Sequence, residues 1–362
     1  MFGIFHGDAR FGRRRKAGRL GRSLPGILFL VIALGGTGTI ATAAAATDPQ
    51  STLERVRANK DLRCAVYPDD PERSAISPSG NWDGFYVAFC RAVAAAVLGN
   101  PDFVEYVEVG SNSRFAALAD NKADVVMYST TWTLGRETDE KVLFPAIFLF
   151  DGQGFMVRAQ SGIKTLDDLK GKTICVMANT STERNLESII RRRSLAAKVI
   201  EANGDSFFRG GCDAYTADRM NLAVNRANRA DNPAEYVILP DIVSREPVGP
   251  MVRNDDLQWA RIIRYVVDAL ILAEEKGITR DNLDSPTLSD QGGEIDNLLG
   301  RTGRTGEQLG LDKAWAYRAI KAVGNYGEIY ERYFGPKTRI GVERGLNRLW
   351  SNGGLLYAPS FL

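Results

Sequence analysis

The chain has 362 residues, with 46 lysines and arginines, 44 aspartates and glutamates, and a single histidine, His6. Seven of the basic residues and one acid lie in the first 46 residues, so the remaining 316 residues hold 39 basic and 43 acidic side chains and a net charge of −4. The small basic excess of the full chain is therefore no indication of nucleic-acid binding. Without His6, the remainder cannot form a Ser-His-Asp triad or a histidine-based metal site.

The first 46 residues have the order of a secretory signal peptide. Basic residues from Arg10 to Arg22 precede a short apolar stretch from Leu24 to Leu34, and small residues continue to Ala46. This order is typical of a leader that is removed after an A-x-A cleavage site, and the apolar stretch is short for a membrane span. We expect a secreted protein that begins near residue 47; an uncleaved amphipathic anchor is the alternative.

After the leader, the apolar pattern alternates between strands and helices. Strands are predicted at 63–67, 103–109 and 124–128, and helices at 85–98 and 114–121 lie between them. Strands that alternate with helices in this way form a parallel sheet with right-handed crossovers. We therefore predict a first α/β unit.

A second α/β unit follows the extended stretch 148–158 and is predicted to contain strands at 173–177, 213–217 and 236–239. The stretch 244–253, which contains two prolines and a glycine, is again extended. The rest of the chain is predicted to be helical, because apolar residues recur at helical spacing after position 259.

One unit interrupted by another gives a two-lobed α/β fold. We assign residues 47–157 and 245–362 to lobe 1 and residues 158–244 to lobe 2. Two parallel-core sheets joined by two extended crossings can close on a ligand by rotation about the hinge.

The segment from Ser129 to Arg136 follows the predicted strand 124–128 and is rich in hydroxyl groups. Hydroxyls such as that of Thr131 can hydrogen-bond a carboxylate, and a guanidinium can grip one with two parallel bonds. Because ligands of open α/β sheets bind beyond the carboxyl ends of the strands, we predict half of a site for a small carboxylic acid. The alternative is a polar loop with a surface arginine.

Thr180, Ser181 and Thr182 open the predicted helix of the second lobe. Backbone N–H groups at a helix N-terminus bind anions, so this turn can complete the carboxylate site. Thr180 and Glu183 also have the spacing of a capping box, which would serve the helix alone.

Asp218 follows the predicted strand 213–217 and should lie at the carboxyl edge of its sheet. An acid there can hold an ammonium group, although it could also cap the next helix. A carboxylate seat that includes Thr131 and Arg136, together with an ammonium seat at Asp218, predicts an α-amino acid as the ligand. Burial of both charges requires that each is paired.

The four cysteines are Cys64, Cys90, Cys175 and Cys212. An even number of cysteines in an exported chain favours disulfides. We favour the pairs Cys64–Cys90 and Cys175–Cys212, because each pair stays within one predicted lobe. A zinc site without a CxxC motif and four free thiols are the alternatives.

Eight segments of the chain resemble the polar amino-acid-binding periplasmic proteins of ABC transporters (solute-binding protein family 3), most closely the general L-amino-acid branch. They are GNWDGFYVAFCRAVAAAVLG (80–99), RFAALADNKADVV (114–126), STTWTLGRE (129–137), FDGQGFMVR (150–158), CDAYTAD (212–218), VSREPVGP (243–250), GNYGE (324–328) and LYAPS (356–360). The resemblance implies a two-lobed periplasmic binding protein type II fold. It also implies a monomer without catalytic activity, cofactor, metal or nucleic-acid partner that carries an L-amino acid to an inner-membrane ABC permease.

The resemblance also implies roles for individual residues. Ser129 and Thr131 correspond to the hydroxyls that line the first lobe, Arg136 to the arginine that grips the ligand carboxylate, and Asp218 to the acid that holds the ammonium group. Thr180 and Ser181 correspond to the donors of the second lobe. The cysteine positions are similar to those of this branch, which supports the favoured disulfide pairing.

The chain departs from the family pattern at three places. Tyr86 and Ala88 occupy positions in the first helix that are usually acidic in the family. Asn179 replaces the glycine that the family favours before the paired hydroxyls, and asparagine tolerates the left-handed backbone that glycine adopts. The loop 68–79 is rich in acidic residues, prolines and serines and does not follow the family pattern. This loop shapes the side-chain pocket, so the sequence does not identify the amino acid.

Two other functions fit the same scaffold. The first is a periplasmic enzyme similar to a cyclic-acid dehydratase, with Glu183 or Asp70 as its acid. The second is a sensor subunit that presents its ligand to a receptor instead of a permease.

Overall fold

The computed structural model describes residues 51–68 and 71–362. The predicted signal peptide and Asp70 lie outside the described residues. Within the described part of the chain, none of the helices combines the length and the apolar character that a membrane crossing requires.

The first part of the chain contains seven strands, three of which form one sheet. The strands are β1 (Leu62–Val66), β2 (Ala75–Ile76), β3 (Trp82–Asp83), β4 (Val104–Glu108), β5 (Val125–Val126), β6 (Val142–Leu143) and β7 (Leu149–Asp151). Its helices are α1 (Thr52–Asn59), α2 (Phe85–Leu98), α3 (Arg114–Ala119) and α4 (Leu134–Asp139). The sheet order is β4-β1-β5 with both pairs parallel, as the alternation of strands and helices predicts.

The second part of the chain forms a five-stranded sheet. Its strands are β8 (Gln153–Arg158), β9 (Thr173–Val176), β10 (Lys198–Glu201), β11 (Ala214–Asp218) and β12 (Tyr236–Ile238), and its helices are α5 (Ser181–Arg193), α6 (Gly204–Phe208) and α7 (Arg219–Arg229). The order is β10-β9-β11-β8-β12, in which β9 runs parallel to both neighbours and β8 runs antiparallel to both of its own. The predicted α/β fold with two sheets is confirmed.

The return of the chain begins with β13 (Glu246–Val248) and β14 (Val252–Arg253). It continues through α8 (Leu257–Glu275), α9 (Glu294–Leu298), α10 (Thr305–Leu309), α11 (Trp315–Val323) and α12 (Tyr326–Tyr333). β13 pairs with β7, so these two strands are the crossing between the lobes. Because β8 pairs with β11 and β12, the sheet of the second lobe starts at Gln153, within the stretch that the sequence-based division gave to lobe 1.

Each lobe has its own apolar core. In the first lobe, the alanine-rich helix α2 is buried on nearly every side because α8, α11 and α12 cover it. Phe85, Phe148 and Trp259 are fully buried in this core. In the second lobe, Phe155, Ile174 and Leu186 belong to a separate cluster. The first-lobe cluster also contains buried residues of α7 in the second lobe, so the two lobes share an apolar contact: Met220, Ala223, Val224 and Ala227.

The C-terminal segment after α12 reaches back to the hinge. The side-chain amide of Asn347 donates to the carbonyl of Phe150 at 2.9 Å, and its oxygen accepts the Phe150 N–H at 2.6 Å. Asn347 therefore pairs with β7 on the edge opposite β13 and fixes this hinge strand to the first lobe.

Both favoured disulfides are present. Cys64 in β1 is bonded to Cys90 in α2, and Cys175 in β9 is bonded to Cys212 just before β11. Each bond lies within one lobe, which confirms the pairing that the sequence favoured.

We expect the double variant Cys175→Ala/Cys212→Ala to lose about 3–4 kcal/mol of stability, because the bond closes a loop with a sequence separation of 37 residues. Urea-induced unfolding followed by circular dichroism measures this loss. The matched control is Cys64→Ala/Cys90→Ala, whose sequence separation of 26 predicts a loss of similar size in the other lobe. A loss below ~1 kcal/mol in the first variant would contradict this expectation.

Candidate functional site

A cavity of about 50 Å³ lies between the two lobes, at the carboxyl ends of β5 and β11. All seven residues predicted as ligand contacts line it: Ser129, Thr131, Arg136, Thr180, Ser181, Thr182 and Asp218. Residues that sequence reasoning did not single out complete the wall: Arg114, Tyr128, Met177, Tyr215, Thr216, Ala217 and Asn221. The fold therefore brings the two predicted halves of the site together.

Arg136 is held in the first turn of α4. The side chain of Thr133 caps this helix by accepting the Arg136 amide at 3.3 Å. The guanidinium then turns back and donates to the carbonyl of Thr131 at 2.5 Å. Arg136 is only 6% exposed, so the alternative of a surface arginine does not apply.

The start of α5 presents the second-lobe residues. Thr180 caps the helix by accepting the amide of Glu183 at 3.2 Å. Asn179 has φ +59°, the left-handed conformation expected when asparagine replaces glycine. Its backbone N–H donates to the Glu183 carboxylate at 2.8 Å. The first amides of a helix have no partner inside the helix, and this cap does not use those of Ser181 and Thr182.

Asp218 is the last residue of β11 and directly precedes α7. Its side chain makes no capping hydrogen bond, so the alternative role as a helix cap does not apply. Instead, the hydroxyl of Ser129 in the first lobe donates to the Asp218 carboxylate at 3.4 Å. This contact spans the cleft between the lobes.

The acidic end of the cavity is electrostatically unfavourable without a cation. Burial raises the pKa of Asp218 well above its usual value, and the nearby charges of Asp151 and Glu246 raise this pKa further. Burial also raises the pKa of Asp151 to about 6. A bound ammonium group would reverse this effect by stabilising the charged carboxylate.

The opposite end of the cavity carries an excess of positive charge. Burial lowers the pKa of Arg136 to about 10, and the nearby guanidinium groups of Arg114 and Arg184 lower this pKa further. Arg114 is 2% exposed, lies over the rings of Phe115 and Tyr128, and has an Nε atom that makes no hydrogen bond within the described structure. The cavity thus has one end suited to an anion and another suited to a cation.

Glu246 in the hinge strand β13 is the residue that sequence reasoning missed and that joins most of the site. It is 2% exposed and accepts hydrogen bonds from Thr131 and Ser181 at 2.5 and 2.9 Å. The Thr131 hydroxyl therefore donates its hydrogen bond to Glu246, a carboxylate of the protein. The sequence-based prediction had this hydroxyl donate to the carboxylate of a ligand.

Further contacts between the lobes show that the cleft is closed. The side-chain amide of Asn179 donates to the side-chain oxygen of Asn112 at 2.8 Å, and the side-chain amide of Asn228 donates to the Glu72 carboxylate at 2.7 Å. Among the residues that the structure describes, no group of three or more histidine, cysteine, aspartate or glutamate side chains is arranged to hold a metal ion.

Comparisons with known proteins place this geometry in context. The family model of the bacterial extracellular solute-binding proteins, family 3, matches residues 62–336. The chain is 43% identical over 331 residues to the glutamate/glutamine/aspartate/asparagine-binding protein BztA of Rhodobacter capsulatus, an alignment that covers 90% of this chain and 98% of the relative. It is 41% identical over 332 residues to the general L-amino acid-binding periplasmic protein AapJ of Rhizobium johnstonii, with coverages of 90% and 96%.

A solved structure shares most of this architecture. It is an ABC transporter periplasmic binding protein from Brucella ovis with glutathione bound, and it superposes with a TM-score of 0.83 at 38% identity. The similarity covers 87% of this chain and 100% of that one. The fold expected from the sequence, that of a type II periplasmic binding protein, is thereby confirmed.

Proposed function

Since the chain belongs to the bacterial extracellular solute-binding proteins of family 3, we propose that it captures an L-amino acid in the periplasm and delivers it to an inner-membrane ABC permease. The observation that carries this proposal is the closed cavity between the lobes, with buried arginines at one end and the buried Asp218 at the other. An α-amino acid is the small molecule that carries both complementary charges.

In this proposal Arg136 and the amides of Ser181 and Thr182 bind the ligand carboxylate. Asp218 binds the ammonium group, and Ser129 holds the Asp218 carboxylate in place. Such an arrangement compensates both buried charges at once, which makes their burial tolerable.

Arg114 supports a polar or acidic ligand side chain. Its guanidinium is buried at the cavity wall, and its Nε has no partner in the described structure. A second carboxylate or an amide oxygen on the ligand could accept this bond. The relative BztA is named for glutamate, glutamine, aspartate and asparagine, which have side chains of this kind.

The cavity in the closed cleft is small. A volume of about 50 Å³ corresponds to only a few waters at roughly 10–15 Å³ each. Glutathione, which the Brucella ovis protein binds, would require a wider separation of the lobes.

We further propose that the mature protein starts near residue 47, acts as a monomer and is not an enzyme. The relatives are named as binding proteins, and the sequence after residue 46 has no histidine that could act as a general base.

A thermal-shift screen of refolded, ligand-free protein tests the proposed function. We expect stabilisation by at least one L-amino acid with an acidic or amide side chain, of about 2.7 kcal/mol at a concentration 100 times Kd. Glutarate and succinate, which are glutamate and aspartate without the amino group, serve as controls and should give no comparable shift. If only glutathione stabilises the protein, or if none of the twenty amino acids does, the proposal is wrong.

A further inference from the structure

Glu246 accepts four hydrogen bonds from three different parts of the chain. Its Oε2 atom accepts from Thr131 in the first lobe at 2.5 Å and from Ser181 in the second lobe at 2.9 Å. Its Oε1 atom accepts from Asn185 at 2.9 Å and from the hydroxyl of Ser244. Four donors around two oxygens match the capacity of an ionised carboxylate, which can only accept.

This arrangement fixes where the hydroxyl protons point. A serine or threonine hydroxyl has a single proton to donate and two lone pairs that accept. Because Thr131 and Ser181 both donate to Glu246, neither has a second proton for a ligand. Their oxygens lie 3.1 Å apart, and both residues line the ligand cavity, so each hydroxyl can offer a ligand only a lone pair.

Two adjacent lone-pair acceptors are suited to a cation. An ammonium group has three donors and no acceptor, so it can donate to both oxygens and to Asp218. A ligand hydroxyl has one donor and could satisfy only one of these acceptors. The remaining acceptors would then be left unpaired in a closed, buried site, which is unfavourable.

We propose that Glu246 is a positioning residue for ligand selection: it takes the hydroxyl protons of Thr131 and Ser181 and thereby makes the cavity selective for an amino group over a hydroxyl group on the ligand's α-carbon. This inference rests on the proposed function and adds to it the origin of the selectivity. Because the donors come from both lobes, the same hydrogen bonds can form together only when the cleft is closed.

The variant Glu246→Gln tests this role. Glutamine places an NH2 group, which donates, where one of the two carboxylate oxygens was. If this group takes the place of Oε2, the hydroxyl of Thr131 or Ser181 must accept a hydrogen bond from it. The proton of that hydroxyl is then free to point into the cavity. The probes are L-glutamate and (S)-2-hydroxyglutarate, which differ only in the group on the α-carbon. Isothermal titration, with competition for the weaker probe, should show that the ratio of the two affinities falls at least tenfold in the variant.

The matched control is Ser244→Ala. It removes a donor to the other carboxylate oxygen, and Ser244 does not line the ligand cavity. We expect the affinity ratio of this variant to stay within threefold of the wild-type ratio. Glu246→Gln would overturn the proposal if it weakened both probes by the same factor, because a merely structural role predicts equal losses.

A second variant keeps the proposal testable if Glu246→Gln does not fold. Ser181→Ala removes one of the two lone-pair acceptors and should also lower the affinity ratio, whereas an unchanged ratio would contradict the inference. The wild-type protein separates the two levels of the argument. If it binds none of the twenty amino acids, the proposed function is in error; if it binds an amino acid other than glutamate, that amino acid and its 2-hydroxy analogue replace the two probes. If the wild type binds its amino acid but both variants keep the wild-type ratio, only the role of Glu246 is in error.

Discussion

Replacement of Arg136 with alanine is expected to weaken L-amino-acid binding by about 3–5 kcal/mol, or roughly 100- to 4,000-fold. The loss is large because the ligand carboxylate would enter a closed cavity without its main charged partner. Arg136 is also the cavity guanidinium that the start of α4 holds against the Thr131 carbonyl. Isothermal titration of the ligand-free protein measures the effect.

Arg136→Lys is the matched control for this prediction. Lysine keeps the positive charge but loses the two-pronged geometry of the guanidinium, so its affinity should lie between those of the wild type and the alanine variant. An affinity of Arg136→Ala within threefold of the wild type would remove Arg136 from the ligand contacts.

Asp218→Asn is expected to have opposite effects on binding and on stability. Binding of the amino acid should weaken by about 3–5 kcal/mol, because the ligand ammonium loses its buried counter-charge. The ligand-free protein should at the same time become more stable at pH 7. The neutral amide removes a buried charge that lies near two other carboxylates, Asp151 and Glu246.

The sign of the pH dependence follows from the raised pKa of Asp218. Burial and the neighbouring carboxylates raise this pKa in the folded protein, and Arg136 and Ser129 only partly oppose them. The ligand-free folded state therefore binds a proton more tightly than the unfolded state. The contribution of Asp218 to the stability is therefore fully present below the unfolded-state pKa of about 3.9 and is lost as pH rises through the folded-state pKa.

The same pKa predicts weaker binding in acid. The ligand ammonium needs the charged carboxylate, so binding by the wild type below the raised pKa should release a proton and weaken about tenfold per pH unit. Titrations in buffers of different ionisation enthalpy measure this proton release, and Asp218→Asn should abolish the Asp218 component. A variant with unchanged affinity, or one less stable than the wild type without ligand, would contradict the assigned role of Asp218.

The elements of this fold were predictable because their signals are local. The alanine-rich helix α2 and the amphipathic helix α8 follow directly from apolar periodicity. Asp218 was predictable because the end of a buried strand in a parallel sheet points to a known edge. Arg136 was predictable because it follows a strand and a cluster of hydroxyls.

Glu246 and Arg114 were not predictable in the same way. Glu246 lies in an extended stretch without periodicity, and its importance arises only when Thr131, Ser181 and the hinge meet in space. Arg114 is the first residue of a short helix, a position at which the sequence alone predicts an exposed side chain. In the folded protein this side chain is buried, and its guanidinium lies over the rings of Phe115 and Tyr128. The roles of both residues depend on tertiary contacts, and the residue pattern of a single segment carries no information about such contacts.

The attachment of Asn347 to Phe150 bears on how the lobes would separate. With both backbone groups of Phe150 bonded to the first lobe, we expect rotation in this crossing to occur at Asp151 and Gly152, just before β8 begins. Gly152 has no room for a larger side chain, since a Cβ there would lie 2.4 Å from Ile242. The family match ends at residue 336, so Asn347, which makes this contact with the hinge strand, lies in the C-terminal segment beyond the match.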